Sequence, residues 1–297
     1  MAGGALLALL VLFAAACGPP GAARVTPPAP SGSAATATAA TPGPVSGTAP
    51  IKIEDAFYVF PDDGVAPLLR FIDSAQRTLD VYVFDLSHKD VEQRLLDAQT
   101  RGVAVRAVVE PNPTGREKQA RATYDRLKAA GIRTEYAPKR FSKTHVKALV
   151  ADGERAWIGS PNFVSEWTAQ RDYAYTTTAP ATVRQLASIF DDDFRGARGD
   201  ATVDFESDLI VSPINSRSAF TRLLVGASTS IAVEHEELDD KLLADLLVDR
   251  SNAGLAVTVL VKDVGGISRL ISDLRPAQTQ VQDRPQEARS WGNRRGA

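Results

Sequence analysis

The sequence predicts an α/β protein: a mixed, largely parallel sheet with helices on its faces, duplicated, with the second copy incomplete. Three observations lead there. From residue 51 onward, short β-branched and aromatic runs alternate with helical patterns, the order of consecutive βαβ units. A constant offset of 152 residues relates two stretches of the chain. The second copy runs into the polar end of the chain after its third strand.

The elements of the first unit follow in order. "FYVF" (57–60) is a strand, followed by a helix from about Val65 to Gln76. "LDVYVFDL" (79–86) precedes a helix from about Val91 to Thr100, and "VAVRAVVEP" (103–111) precedes one from about Arg116 to Ala129. "RTEYAP" (133–138) comes next. "HVKALVAD" (145–152) and "RAWIGS" (155–160) read as a strand pair around the turn "ADGE", because Asp-Gly between apolar runs supplies turn geometry. "DYAYTTT" (172–178) is a further strand, and "ATVRQLASIFDDDF" (181–194) a helix that closes the unit.

The repeat is read without gaps. "TLDVYVFDL" (78–86) faces "SIAVEHEEL" (230–238), "GVAVRAVV" faces "GLAVTVLV", Pro61 faces Pro213, Ala75 faces Ala227 and Gly102 faces Gly254. Chance does not hold one register over two strands and two helices. The second unit therefore has its first three strands. The equivalent of His145 would be residue 297, the last one, so a second copy of the motif described below is absent.

Residues 5–16, "ALLALLVLFAAA", have the length of a signal-peptide apolar core. Cys17 follows "AAA" directly and precedes "GPPG", which resembles a bacterial lipoprotein cleavage box with Cys17 as the lipidated residue. Ordinary secretion by cleavage after an alanine, or an uncleaved anchor, are the alternatives. As the single cysteine, Cys17 excludes an intrachain disulfide and makes sense as an acylation site. Residues 18–50 are Pro, Ala, Gly, Ser and Thr with almost no large apolar side chain, a flexible tether that cannot offset its ordering entropy. Expected boundaries are a signal peptide over 1–17, the tether over 18–50, a complete unit over 51–203, a partial repeat over 204–275 and a disordered tail over 276–297. A net charge of −2 selects no partner by bulk electrostatics, and no apolar run after residue 20 is long enough to span a bilayer.

The chemistry lies in "THVKALVADGERAWIGSPNF" (144–163). His145 and Lys147 stand two apart, so on a strand they leave the same face. With Asp152, Gly159, Ser160 and Asn162 they spell H-x-K-x4-D-x6-G-S-x-N without a mismatch. A phosphodiester is an anion, and its cleavage needs a nucleophile and charge neutralisation. A neutral imidazole can attack phosphorus. Lys147 offers a point charge to the phosphoryl oxygens, Asn162 an amide donor, and Ser160 a further donor. Gly159 would let the backbone pass close to a ligand. Asp152 has two readings, direct contact or shaping of the turn beside Gly153.

The motif resembles the HKD signature of the phospholipase D superfamily, and the βα repeat, the "VFD" strand (83–85) and the duplication fit the same family over about residues 51–262. The resemblance implies an α-β-α sandwich and a phosphodiesterase or phosphatidyltransferase. It also implies two HKD motifs acting together, from two repeats or two subunits, without a metal or other cofactor. A family Glu downstream of the Asn holds the nucleophilic imidazole. Here the matching acid is Asp172 in "QRDYAY", one carbon shorter and about one position early, with a strand-edge pair to Arg171 as the other reading.

Around the motif, Lys139, Arg140 and Lys143 form a basic loop that attracts phosphate groups or is ordinary surface. His88 reads as surface, "FDDDF" (190–194) as an exposed acidic helix stretch, and "VEHEELDD" around His235 as part of the repeat and not a metal cluster. With one motif, the acid for the leaving oxygen has three solutions: a homodimer sharing two His145 residues, a truncated and impaired enzyme, or a phosphate-binding module. The lipoprotein-like start favours a phospholipid substrate at a membrane. A nuclease acting on DNA or RNA is the alternative, and a non-catalytic polyanion-binding lipoprotein the third.

Overall fold

A computed structural model describes residues 51–113, 115–165, 170–196, 209–235, 238, 240–261 and the backbone of 279–283. The signal segment with Cys17, the tether and most of the tail lie outside the described residues.

The first unit carries β1 (Ala56–Phe60), α1 (Ala66–Asp73), β2 (Thr78–Val83), α2 (Lys89–Thr100), β3 (Ala104–Val109), α3 (Glu117–Ala129) and β4 (Arg133–Tyr136). There follow β5 (Lys147–Ala151), β6 (Arg155–Gly159), β7 (Asp172–Thr177) and α4 (Pro180–Phe194). The sheet order is β1-β7-β6-β5-β2-β3-β4. Only β2-β3 and β3-β4 pair in parallel, and the other four neighbours are antiparallel. The sheet is mixed as expected, but antiparallel pairs outnumber parallel ones, so the expectation that it is largely parallel is corrected. The βαβ signal was real only for β2, β3 and β4. The later strands are joined by hairpins or return across the sheet, which reverses their direction.

Helices cover both faces. Leu68, Phe71, Ile72, Val91, Leu95 and Leu127 from α1, α2 and α3 pack on Leu79, Val81, Val105, Leu149 and Trp157. On the other face, Val183 and Leu186 of α4 meet Ala148, Val150 and Ala156, while Phe190 and Phe194 meet Tyr82 and Val108. Alternate residues of β2 and β5 therefore go to opposite cores, as the strand period requires. The result is an α-β-α sandwich.

The second unit repeats the first at the expected offset. α5 (Ser216–Gly226) is followed by β8 (Ser230–His235), α6 (Lys241–Asn252) and β9 (Ala256–Val261). The bounds of β8, α6 and β9 are those of β2, α2 and β3 shifted by 152 residues. The shared stop signal is glycine at positive φ, 91° at Gly102 and 98° at Gly254, which closes α2 and α6 with the next residue's amide bonded back to Ala98 and Arg250.

Two expectations for this unit change. Residues 209–212, the equivalents of "FYVF", form no strand, although β8 and β9 do. In the first unit β1 is held by β7, and the described residues of the second unit offer no counterpart to pair with. The third strand comes instead from the tail expected to be disordered. β10 (Thr279–Asp283) lies parallel to β9 and satisfies its edge, as β4 does for β3.

Candidate active site

The motif residues other than Asp152 gather where β2, β3 and β6 end and β5 and β7 begin. Antiparallel pairing brings this about: Lys147, the first residue of β5, faces Val83, the last of β2. His145 stands two residues ahead of the strand. Its approach is fixed from behind, because the Thr144 amide donates to Glu110 Oε2 at 2.8 Å and the same carboxylate accepts from Asn112 N at 3.0 Å.

The imidazole and the ammonium meet on one ring. His145 lies edge-on to Phe84 with centroids 4.3 Å apart and planes at 77°. Lys147 Nζ sits 5.0 Å above the same ring and donates to the His145 carbonyl at 3.1 Å. Lys147 is 1% exposed, so a positive charge is held in the sheet by a carbonyl dipole and a ring face.

Asn162 is placed by its neighbour. Phe163 is fully buried, its amide donates to the Asp85 carbonyl at 3.0 Å, and its carbonyl accepts from Ser87 and His88. The segment after β6 is thereby tied to the segment after β2. Asn162 lines a cleft of about 230 Å³ together with Phe84, Asp85, Pro113, Arg116 and Val164.

Ser160 and Asp172 come together. The Ser160 hydroxyl donates to Asp172 Oδ1 at 2.6 Å and accepts from Tyr173 N at 3.0 Å. Its one proton goes to the carboxylate, so the expected donation to a phosphoryl oxygen gives way to support of Asp172. The ion-pair reading of Asp172 with Arg171 also falls away, since Arg171 pairs with Asp62 at 2.8 Å. Gly159 is explained by packing. A Cβ there would stand 3.0 Å from Ala174 Cβ and 3.2 Å from Pro161 Cδ, so the strand, not a ligand, needs the glycine.

Asp152 lies elsewhere. It follows β5 at the end opposite His145, on the order of 20 Å along an extended chain. Asp152 and Gly153 hold positive φ of 57° and 69° and reverse the chain into β6. The Asp152 carboxylate accepts from the amides of Gln76, Arg77 and Thr78 and pairs with Arg155. The catalytic assignment is therefore corrected to a staple between the hairpin and the start of β2. Burial pushes its carboxyl up, but the bonds from Thr78, Arg77 and Gln76 and the Arg155 charge outweigh it and hold it below the ordinary value. A carboxyl so lowered contributes stability above its unfolded pKa of about 3.9, which is lost as pH falls through the folded value. Asp152→Ala should cost about 3–5 kcal/mol at pH 7 by stranding these donors. In urea melts, the gap to wild type should narrow below about pH 4. A loss under about 1 kcal/mol would show the staple to be idle.

Several contributors were not singled out from the sequence. Phe84 and Glu110 sit at strand ends in "VFD" and "VEP", and their position directly after β-runs was the available signal. "FDDDF" is not simply an exposed stretch. Asp193 is buried, accepts from the Tyr82 hydroxyl and pairs with Arg140 at 2.6 Å. Burial holds the Asp193 carboxyl above its ordinary value in spite of both partners. Arg140 is thus tied back to α4, while Lys139 and Lys143 of the basic loop are exposed. His88 caps α2, its Nδ1 accepting from Asp90 N at 3.2 Å.

In the second unit, β8 ends on Glu234 and the buried His235. Glu234 accepts from the Tyr173 hydroxyl, so this strand end reaches the residue beside Asp172. Among the described residues, no three His, Cys, Asp or Glu side chains come together as a metal site would require.

Residues 68–194 match the family described as the cardiolipin synthase, PLD-like domain. Over that stretch the protein is similar to the phospholipase D superfamily. This phospholipase D-like chain is 27% identical over 141 residues to the mitochondrial cardiolipin hydrolase of Chlamydomonas reinhardtii. The match covers 47% of the chain and 61% of that relative, so the chain spans about three fifths of its length. Among solved structures, a phospholipase D family member, Nuc, from Salmonella typhimurium is 23% identical with a TM-score of 0.44, covering 48% of this chain and 96% of that one. The polyphosphate kinase of Porphyromonas gingivalis is 19% identical with a TM-score of 0.58 over 77% of this chain and 40% of that one, a likeness of fold. In the phospholipase D-like unit the motif residues thus divide: His145, Lys147 and Asn162 stand at the ends of the central strands, Ser160 and Asp172 brace one another beside them, and Asp152 builds the hairpin.

Proposed function

We propose that the protein is a phospholipase D-type phosphodiesterase that cleaves the head-group side of a phospholipid through a phosphohistidine. The observation that carries this reading is the meeting of His145 and Lys147 on the Phe84 ring, at the sheet edge that also holds Asn162. A ring nitrogen of His145 attacks phosphorus as the bond to the head-group oxygen breaks, and that oxygen takes up a proton. Water then attacks phosphorus, the N–P bond breaks, and the imidazole is restored. Lys147 and Asn162 stabilise the charge that gathers on the phosphoryl oxygens. Asp172, braced by Ser160, holds the second ring nitrogen. The proton for the leaving oxygen comes from a second imidazole, either His145 of another subunit or His235 of the same chain.

Lipid is preferred to nucleic acid on two grounds. The N-terminal segment reads as an export signal with an acylated Cys17, which would hold the domain at a membrane. The matched family description and the curated relative both name cardiolipin. The exposed Lys139 and Lys143 beside the motif favour the second reading, a nuclease.

The test is cleavage of phospholipid vesicles, including cardiolipin, by the full chain in the presence of chelator. The expected result is release of head group and phosphatidic acid, with Cys17→Ser moving the protein from the membrane to the soluble fraction. Chelator-resistant cleavage of DNA or RNA with intact lipid would replace the lipid reading by the nuclease one.

A further inference from the structure

We infer that Asp193, in the last turn of α4, is a positioning residue for the His145 imidazole, acting through Arg140 and the connection between β4 and β5. The inference rests on the reading of His145 as the reacting group and names what holds it.

The connection spans residues 137–146 and carries His145 near its end. It is pinned at both ends to the end of β3. The Ala137 amide donates to the Val109 carbonyl at 2.9 Å, and the Thr144 amide donates to Glu110 Oε2 at 2.8 Å. Val109 and Glu110 are consecutive residues, so the two pins stand side by side. A loop pinned in this way can still swing about the line joining its pins. A third point away from that line removes the swing. Arg140 supplies it: from the middle of the loop, its Nη2 donates to Asp193 Oδ1 at 2.6 Å. His145 follows Thr144 directly, so what fixes the loop fixes the backbone that carries the imidazole.

Asp193 is suited to be the fixed end. Its side chain is 3% exposed, against 26% for Arg140. Its other oxygen accepts from the Tyr82 hydroxyl, and Tyr82 stands in β2 beside Val83, the partner of Lys147. Phe190 and Phe194, before and after it on α4, pack on Tyr82 and Val108. The carboxylate is thereby set in the frame that also sets Lys147. Burying it costs free energy that an apolar residue among these aromatic neighbours would avoid, and burial does hold its carboxyl above the ordinary value. A buried ion pair is weak as a stabiliser, and its use lies in fixing one conformation. Here the segment fixed is the one leading into His145. Displacing a reacting group by about 1 Å can cost on the order of 10²-fold in rate.

The chain has three histidines, so their ring Cε1–H groups give three signals in proton–carbon spectra of the full chain. His145→Gln assigns the signal of interest, which the Phe84 ring 4.3 Å away displaces from its ordinary position. Asp193→Asn and Arg140→Gln break the clasp from either side. Each should return the His145 signal toward the ordinary position and leave those of His88 and His235 unmoved, and the double variant should go no further. Paired kinetics should show kcat lower by about 10–100-fold with KM changed less than about threefold, since the imidazole is displaced while Lys147 and Asn162 stay. The spectra need no turnover, so failure of the phosphodiesterase reading shows separately, with wild type in the vesicle assay. If Asp193→Asn does not fold, Arg140→Gln, at the more exposed partner, carries the test. A His145 signal unmoved in a folded variant overturns the inference, whatever happens to activity or stability. So does a moved signal with kcat unchanged in an active protein.

Discussion

Phosphodiester cleavage by a His145→Ala protein should fall to background, a loss on the order of 10⁴-fold or more. Removing a nucleophile closes the covalent route, and the donors left behind cannot open another. The imidazole is only partly buried and touches Phe84 edge-on, so its deletion should leave the sheet intact. The measurement is single-turnover cleavage of a chromogenic phosphodiester, paired with trapping of labelled phosphoenzyme. Wild type should accumulate an acid-labile phosphoryl adduct that the variant lacks. A variant that retains a tenth of the wild-type rate would remove His145 from the nucleophile's place. The same assay addresses the acid. If a second subunit supplies it, specific activity falls on dilution. If it stays constant, His235→Ala is the informative variant, since β8 carries that buried imidazole to the strand end reaching Tyr173.

How much of this was legible depends on the range of the interaction that fixes each residue. The repeat could be read to the residue because β8, α6 and β9 are set by local pattern and by a glycine stop, and local pattern is copied with the sequence. Strand direction could not be read from the same pattern. Alternation and β-branching are alike in parallel and antiparallel strands, and only the pairing partner decides. The same limit applied to residues 209–212, which carry a strand-like "LIVS" but lack the pairing that β7 gives β1.

The site divides along the same line. His145, Lys147 and Asn162 were legible because two tight hairpin-linked strands bring them together over a short span. Asp152 was the misleading member of the motif. Its spacing from His145 is fixed because the hairpin turn must fall there, and its carboxylate is spent on three amides of the chain entering β2. Glu110, Arg116 and Asp193 lie 34, 29 and 53 residues from the partners they hold, and no local spacing rule reaches that far.

Lys147→Met should lower kcat by about 10²–10³-fold, the effect of losing one transition-state donor in a water-excluded site. Methionine keeps most of the volume and suits the apolar surroundings of a residue that is 1% exposed. The folded state should therefore keep most of its stability, because the change preserves volume in a closely packed site. That combination separates the chemical role from a structural one. A residue that merely filled the sheet would lose stability and activity together on substitution, and the volume-matched change would restore both. Lys147→Arg should fail as a rescue despite keeping the charge, because a planar fork has no room where the ammonium is enclosed by the Phe84 ring and the His145 carbonyl. Steady-state kinetics and urea melts on the three proteins decide the matter. If Lys147→Met costs less than about tenfold in kcat, the charge is not used on the phosphoryl oxygens.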